Sequence, residues 1–392
     1  MPDSIVIVAA RRTPIGAFQG CLTPLGAPQL ASAAIRGAFS GLGELGREVD
    51  EAVFGCCLMA GLKQAPARQA VLGAGLPDSV PATTLTKMCG SGMKATMLVH
   101  DMLLAGSCSV GLAGGMESMS NAPYVLTRAR GGYRLGHGQA FDHMFLDGLE
   151  DAYEGKLMGY FADLAAAEFG IARERQDAYA AESVRRAQHA VASGAFRDEI
   201  VPVAIPSRHG EQIISDDETP GTCDIAKIPK LKPAFTKDGT ITPANASSIS
   251  DGAAALVMMR ASEALRRGIT PLARILSHAT HAQQPGRFPT APAPAIRRAL
   301  ERAGWGVGDV DLFEINEAFA VVTLLAMDEL GLPAEVVNVN GGACAMGHPV
   351  GATGARILVT LIHALRARGL RRGLASLCIG GGEATAMAIE VL

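Results

Sequence analysis

The sequence predicts an α/β protein built from a duplicated unit, with one long segment inserted in the first copy. Three observations predict it. Short apolar strand candidates alternate with helical patterns, as in parallel sheets covered by helices. The two ends of the chain repeat one layout. Val49-Asp50-Glu51-Ala52-Val53-Phe54-Gly55 parallels Val310-Asp311-Leu312-Phe313-Glu314-Ile315, and Ser109-Val110-Gly111-Leu112-Ala113-Gly114-Gly115-Met116-Glu117 parallels Ala375-Ser376-Leu377-Cys378-Ile379-Gly380-Gly381-Gly382-Glu383. Between the ends, residues 120–248 are richer in Asp, Arg, Pro and Gly, and a long irregular stretch is usually functional. The expected units are 1–119 as first half, 120–248 as insertion and 249–392 as second half.

The elements follow in chain order. Strands are predicted at 5–9, 51–57, 109–114, 273–279, 312–315, 336–339, 375–379 and 386–391. Several are apolar on both faces, as buried parallel strands are. A helix is predicted over 93–104, directly after a glycine turn. An amphipathic helix is predicted over 173–192, with Gly194 as its stop. Segments 231–235 and 241–247 read as loop.

Composition bounds the function. The chain has 392 residues, 48% hydrophobic and 19% charged, enough for two or three domains and too core-rich for disorder. A net charge of −3 argues against a general nucleic-acid or anionic-membrane surface. No uncharged apolar run reaches the length of a membrane span. The eight cysteines form no C-x-x-C pair and no zinc-spaced cluster, so no metal is expected and a reducing compartment is. The N-terminus runs straight into a strand, without signal or transit character.

Four residues stand where chemistry is built. Cys89, in Lys87-Met88-Cys89-Gly90-Ser91-Gly92-Met93, precedes a helix. The unpaired N–H groups and positive dipole end there favour a thiolate, against an ordinary cysteine value of about 8.5. His348 lies between Gly347 and Pro349, and its imidazole suits a thiol's proton. Cys378 ends a strand before three glycines whose N–H groups suit an oxyanion. Asn316 sits at a strand-to-helix junction. A plainer reading stands beside each: a structural cysteine, a loop histidine, a small core residue and a helix cap. Together they describe a covalent acyl-transfer site.

Over essentially its whole length the chain resembles the thiolases. The blocks that carry the resemblance are Cys89-Gly90-Ser91-Gly92-Met93, Gly114-Gly115-Met116-Glu117-Ser118-Met119-Ser120, Asn245-Ala246-Ser247, Asn316-Glu317-Ala318-Phe319, Gly347-His348-Pro349 and Cys378-Ile379-Gly380-Gly381-Gly382. The resemblance implies five layers, α-β-α-β-α, with an inserted loop domain that grips coenzyme A. It implies ping-pong Claisen condensation of two acyl-CoA molecules, acetyl-CoA being expected, to 3-ketoacyl-CoA plus CoA, and the reverse thiolysis. Cys89 is then the acylated nucleophile, His348 its activator and Cys378 the acid/base at the α-carbon. Asn316 would hold a water for one oxyanion hole, and the N–H groups of Cys89 and Gly380 would form the other. Ser247, Leu149, Met158, Phe235, Ala318 and Phe319 would line the pantetheine tunnel. The arm 128–136 resembles the loop that joins dimers into a homotetramer. A cytoplasmic enzyme of fatty acid metabolism, with coenzyme A thioesters as substrates and no separate cofactor, is the implied setting.

Some positions depart from the family pattern. Leu157 precedes Met158-Gly159 where short-chain members carry histidine. Ser248 follows Asn245-Ala246-Ser247 in place of glycine. The stretch 219–224 lacks an arginine, the region of Phe288 lacks a methionine, and Glu383-Ala384 replaces a Gln-Gly-like pair. These leave two alternatives open: a ketosynthase-type condensing enzyme, or a non-catalytic acyl-CoA- or lipid-binding relative. Cys378 and the intact Asn316-Glu317-Ala318-Phe319 weigh against the first. Intact Cys89, His348 and Cys378 weigh against the second.

Overall fold

Two half-sheets of the same design meet along one seam. The computed structural model describes residues 3–208 and 210–392. The first half holds β1 (Ile5–Arg12), β2 (Glu51–Gly55), β3 (Ala82–Leu85), β4 (Val110–Ser118) and β5 (Ser250–Arg260), in the order β3-β2-β4-β5-β1. The second holds β6 (Ala273–Ala282), β7 (Leu312–Ile315), β8 (Arg372–Ile379) and β9 (Glu383–Val391), in the order β7-β8-β9-β6. The halves join where Val6 pairs with Arg274 and Ile7 with Ala273. Strand directions repeat as well. β2 is parallel to β4 as β7 is to β8, and β5 is antiparallel to β4 as β9 is to β8.

The main helices are α1 (Ala27–Phe39), α2 (Pro66–Gly73), α3 (Ser91–Ala105), α4 (Met158–Glu168), α5 (Arg173–Ser193), α6 (Pro292–Ala303), α7 (Ala320–Leu330) and α8 (Val350–Ala367). Apolar cores separate five layers. α1 and α2 cover one outer face, with Leu30, Ile35 and Val71 against Val6, Phe54 and Leu112. α6 and α7 cover the other, with Ile296 and Met327 against Phe313 and Leu374. α3 and α8 fill the middle, where Met93, Met97, Ile357 and Leu361 meet residues of both half-sheets. A helix enclosed on all sides is apolar all round. Accordingly α8 is long and apolar enough to cross a membrane by length and composition alone, yet 83% of it is buried inside the protein.

α3 and α8 cross at two glycines. A Cβ on Gly92 would lie 2.7 Å from the Ala355 nitrogen, and one on Gly354 would strike the Met93 nitrogen. Gly354→Ala should therefore destabilise the protein by about 1–3 kcal/mol, although alanine is otherwise the better helix former. Thermal denaturation checks this, and an unchanged or raised midpoint would show that the helices have room.

The chain leaves the sheet at Ser118 and returns beside it, with Asp251 paired to Ser118. The returning strand, β5, lies between β4 and β1, so it belongs to the first half. The second half therefore starts after Arg260 and not at 249. Its Ala- and Met-rich sequence carries no strand periodicity, and its neighbours on both sides impose the extended form. The inserted segment is tied to the end of β1 by the buried Arg12 guanidinium, which donates to Asp217 at 2.7 and 2.9 Å and to Glu199.

α3 and α5 form where expected, and α5 stops at Gly194 with φ +74°. The expected strand at 336–339 does not form. Asn338 adopts φ +48°, which breaks the extended run. Its side chain accepts from the Ile315 N–H and donates to the Ile315 carbonyl, both at 2.8 Å, so an amide replaces the backbone ladder. One bridge, Phe313 to Val337, marks where the repeat of β3 would lie.

Candidate active site

The loop between β3 and α3 presents Cys89. Met88 has φ +45°, an uncommon conformation for a residue with a side chain. The Ser91 hydroxyl closes the turn, accepting from the Lys87 N–H at 2.8 Å and donating to the Met88 carbonyl at 2.6 Å. Gly90 lets this loop approach the end of β8, because a Cβ there would strike the Ile379 side chain. A residue from the first half is thereby pressed against the strand that carries Cys378.

Cys378 is buried, directly before Ile379, and pairs across to Ala384. Gly381 and Gly382 follow with φ of +93° and +84°, which turns the chain so that the Gly380 N–H faces the Cys89 thiol. Burial pushes the Cys89 thiol up to about 11, and the N–H groups of Gly380 and Cys89 itself oppose that rise. Burial also holds the Cys378 thiol well above its ordinary range, and negative charge on Cys89 adds to it. The two sulfurs thus share one electrostatic site.

The sequence predicts a thiolate, but Cys89 rests as a thiol. The helix end is present, but desolvation outweighs it in the protein alone. Iodoacetamide should therefore alkylate Cys89 at a rate that keeps climbing above pH 9 toward a midpoint near 11. A plateau already reached at neutral pH would contradict this.

His348 follows Gly347, whose φ of +105° and close approach to Ser250 exclude a side chain there. The Thr353 hydroxyl donates to the Pro349 carbonyl at 2.9 Å, and His348 Nδ1 lies 2.6 Å from the Thr353 hydroxyl oxygen. A hydroxyl has one proton to give, so Nδ1 is the donor and Nε2 keeps its lone pair. Nε2 is buried with no hydrogen-bond partner among the described residues. Burial, then the Arg356 charge, holds the imidazole down to about 3, so it rests neutral. Asn316 is 1% exposed, and neither its Oδ1 nor its Nδ2 has a partner among the described residues. It does not cap α7, which starts at Ala320 behind Phe319. Buried polar atoms without partners need an explanation, and a substrate or water site is one.

Two glutamates support the site, and sequence motifs contained them without revealing a role. Glu117 accepts N–H groups of Cys57, Leu58 and Gly351 at 3.0, 3.1 and 2.8 Å. Glu317 accepts from Tyr179, Ser183, Asn338 and the Cys344 N–H at 2.7–3.0 Å. Thr353, which orients His348, carried no signal at all.

The residues assigned to the tunnel gather on both sides of the thiols. Met158, Phe235, Ala318 and Phe319 pack in the same apolar cluster as Cys378. The Ser247 N–H donates to the Ala318 carbonyl at 3.0 Å. Phe319 stands edge-on to Phe235 at 6.0 Å and tilted against Phe288 at 6.3 Å. Leu149 packs with Cys89 in the neighbouring cluster. A Cβ on Gly380 would touch Met158 Sδ at 3.7 Å, so Met158 overlies the glycine turn. Leu157 is the residue before α4, partly buried.

Known proteins resemble this one throughout. The family description "Thiolase, N-terminal domain" matches residues 5–262, and "Thiolase, C-terminal domain" matches residues 269–391. The first span ends after β5, the last strand of the first half-sheet in chain order. The acetyl-CoA acetyltransferase of Pseudomonas aeruginosa is 49% identical over 390 residues, covering 99% of each chain. That of Escherichia coli K12 is 49% identical over 389 residues, again with 99% of each chain covered. The crystal structure of the Bacillus anthracis acetyl-CoA acetyltransferase matches with a TM-score of 0.97 and 43% identity, covering 100% of this chain and 99% of that one. With matching halves, five layers and full-length relatives, the chain belongs to the thiolase family.

Proposed function

We propose that this thiolase condenses two acetyl-CoA molecules to acetoacetyl-CoA and CoA, and runs the reverse cleavage, through an acetyl group carried on Cys89. The observation that carries the reading is the meeting of Cys89, the Gly380 N–H and Cys378. Cys89 passes its proton to His348 Nε2 as its sulfur attacks the thioester carbonyl. The N–H groups of Cys89 and Gly380 stabilise the oxyanion. The leaving CoA thiolate takes the proton of Cys378. Cys378, now a thiolate and a strong base because burial disfavours its charge, removes the α-proton of the second acetyl-CoA. Protonated His348 and a water held by Asn316 stabilise the enolate, which attacks the acetyl carbonyl. Cys89 leaves and recovers its proton from His348, while Cys378 retains the α-proton, so both thiols are restored.

A short acyl group is supported by Phe235, Phe288 and Phe319 packing in the cluster that contains Cys378, and by the names of the full-length relatives. Thiolysis of 3-ketoacyl-CoA substrates of increasing length tests it. The four-carbon substrate should be turned over fastest, and a preference for long chains would replace this reading with a degradative one. Assembly into a homotetramer is supported by the arm around the Tyr124–Val125 strand, which leaves Tyr124 and Leu126 exposed and Leu135 96% exposed. A sizing column checks it, and a dimer would contradict it.

A further inference from the structure

α3 carries the Cys89 loop at one end and something else near the other. His100 and Asp101, near its C-terminus, meet His278 of β6, which lies 177 residues beyond Asp101. Asp101 Oδ1 is 3.0 Å from His100 Nδ1 and 2.9 Å from His278 Nε2. The two imidazoles stand perpendicular, at 89°, with centroids 5.0 Å apart. One donor atom from each of the three side chains lies within 4.8 Å of the others. No sequence spacing reveals the group, because the fold alone assembles it.

We propose that His100, Asp101 and His278 form a binding site for one divalent late first-row transition-metal ion of the cobalt, nickel and zinc class, clamping α3 to β6. Two imidazoles and one carboxylate are the donor set that suits these ions, and calcium or magnesium would demand more oxygens. Ligands about 2.0–2.1 Å from a tetrahedral ion lie about 3.3 Å apart, so each Asp101–His pair needs to open by only about 0.3–0.4 Å. The Asp101 side chain is 53% exposed, which gives an ion in water its approach and leaves a further ligand position for solvent. The Arg302 guanidinium donates to the His278 carbonyl at 2.6 Å, fixing that residue's backbone and setting a nearby positive charge that tempers affinity. Because α3 belongs to the first half and β6 to the second, the ion braces the two halves. The clamp is remote from the thiols, and its effect is on stability.

Cobalt(II) is the probe. Titrated into the chelator-treated full-length protein, it should bind once per chain, with a nitrogen/oxygen ligand-field spectrum free of thiolate charge-transfer bands. It should also raise the thermal midpoint. Asp101→Asn and His278→Ala should keep the thiolase activity, and should weaken cobalt binding by more than about tenfold. Should His278→Ala fold poorly, Asp101→Asn, nearly identical in shape, carries the test. Failure of cobalt to bind at millimolar concentration, binding unchanged in both variants, or a spectrum dominated by thiolate bands would each overturn the proposal, leaving the triad a hydrogen-bonded contact only.

Discussion

Cys89→Ala should carry no acetyl group. After incubation with acetyl-CoA, intact-mass spectrometry should show one added acetyl on the wild-type chain and none on the variant. Turnover should fall on the order of 10⁴-fold or more, because removing a nucleophile removes the whole two-step route. The loop geometry makes this a clean deletion. The turn at Lys87–Gly90 is held by Ser91 and the Met88 backbone, and the Cys89 side chain takes no part in it. An acetyl adduct on the variant would move the nucleophile elsewhere, with Cys57 of the neighbouring loop the first place to look.

Cys378→Ser should separate the two half-reactions. The variant should still acetylate Cys89, more slowly because the leaving CoA thiolate loses its acid, since the attacking sulfur, its proposed base His348 and the Gly380 N–H all remain. It should lose condensation by about 10²–10⁴-fold, the range for a positioned general acid/base, since a hydroxyl is a far weaker acid than a thiol. The diagnostic readout is exchange of deuterium from solvent into the methyl group of acetyl-CoA. Wild type should catalyse it and Cys378→Ser should not. Rapid exchange by the variant would assign the α-proton to another base, and His348, whose Nε2 has no partner among the described residues, would be the first candidate.

How much of this was legible depended on whether the information was local. The duplication was legible because each half repeats the same strand and glycine punctuation, and the structure repeats four strands in each half, β3 having only a single bridge as its counterpart. β5 was not legible, since residues Ala253 to Met259 become a strand only through β1 and β4 on either side. At 336–339 the apolar run read as a strand, but the Asn338 side chain took over the pairing. The motifs were legible, and the fold packs Met158, Phe235, Ala318 and Phe319 in one cluster with Cys378, with Cys89 facing the Gly380 N–H. Their charge states were not legible. A helix N-terminus is visible in sequence and predicts a thiolate, whereas burial is a tertiary property and pushes the thiol the other way. The supports were hidden for a similar reason. Glu117 reaches Gly351 across 234 residues, and Thr353 matters only through the ring that it orients.

The reach between the sulfurs is the most direct test of all. Dibromoacetone, a short reagent with two alkylating ends, should stitch Cys89 to Cys378 in the native enzyme. Peptide mapping should recover that one cross-linked pair, and Cys378→Ser should give only singly modified Cys89. If the native protein yields no such pair, or joins Cys89 to a different cysteine, then the nucleophile of one half and the acid/base of the other do not face a common substrate.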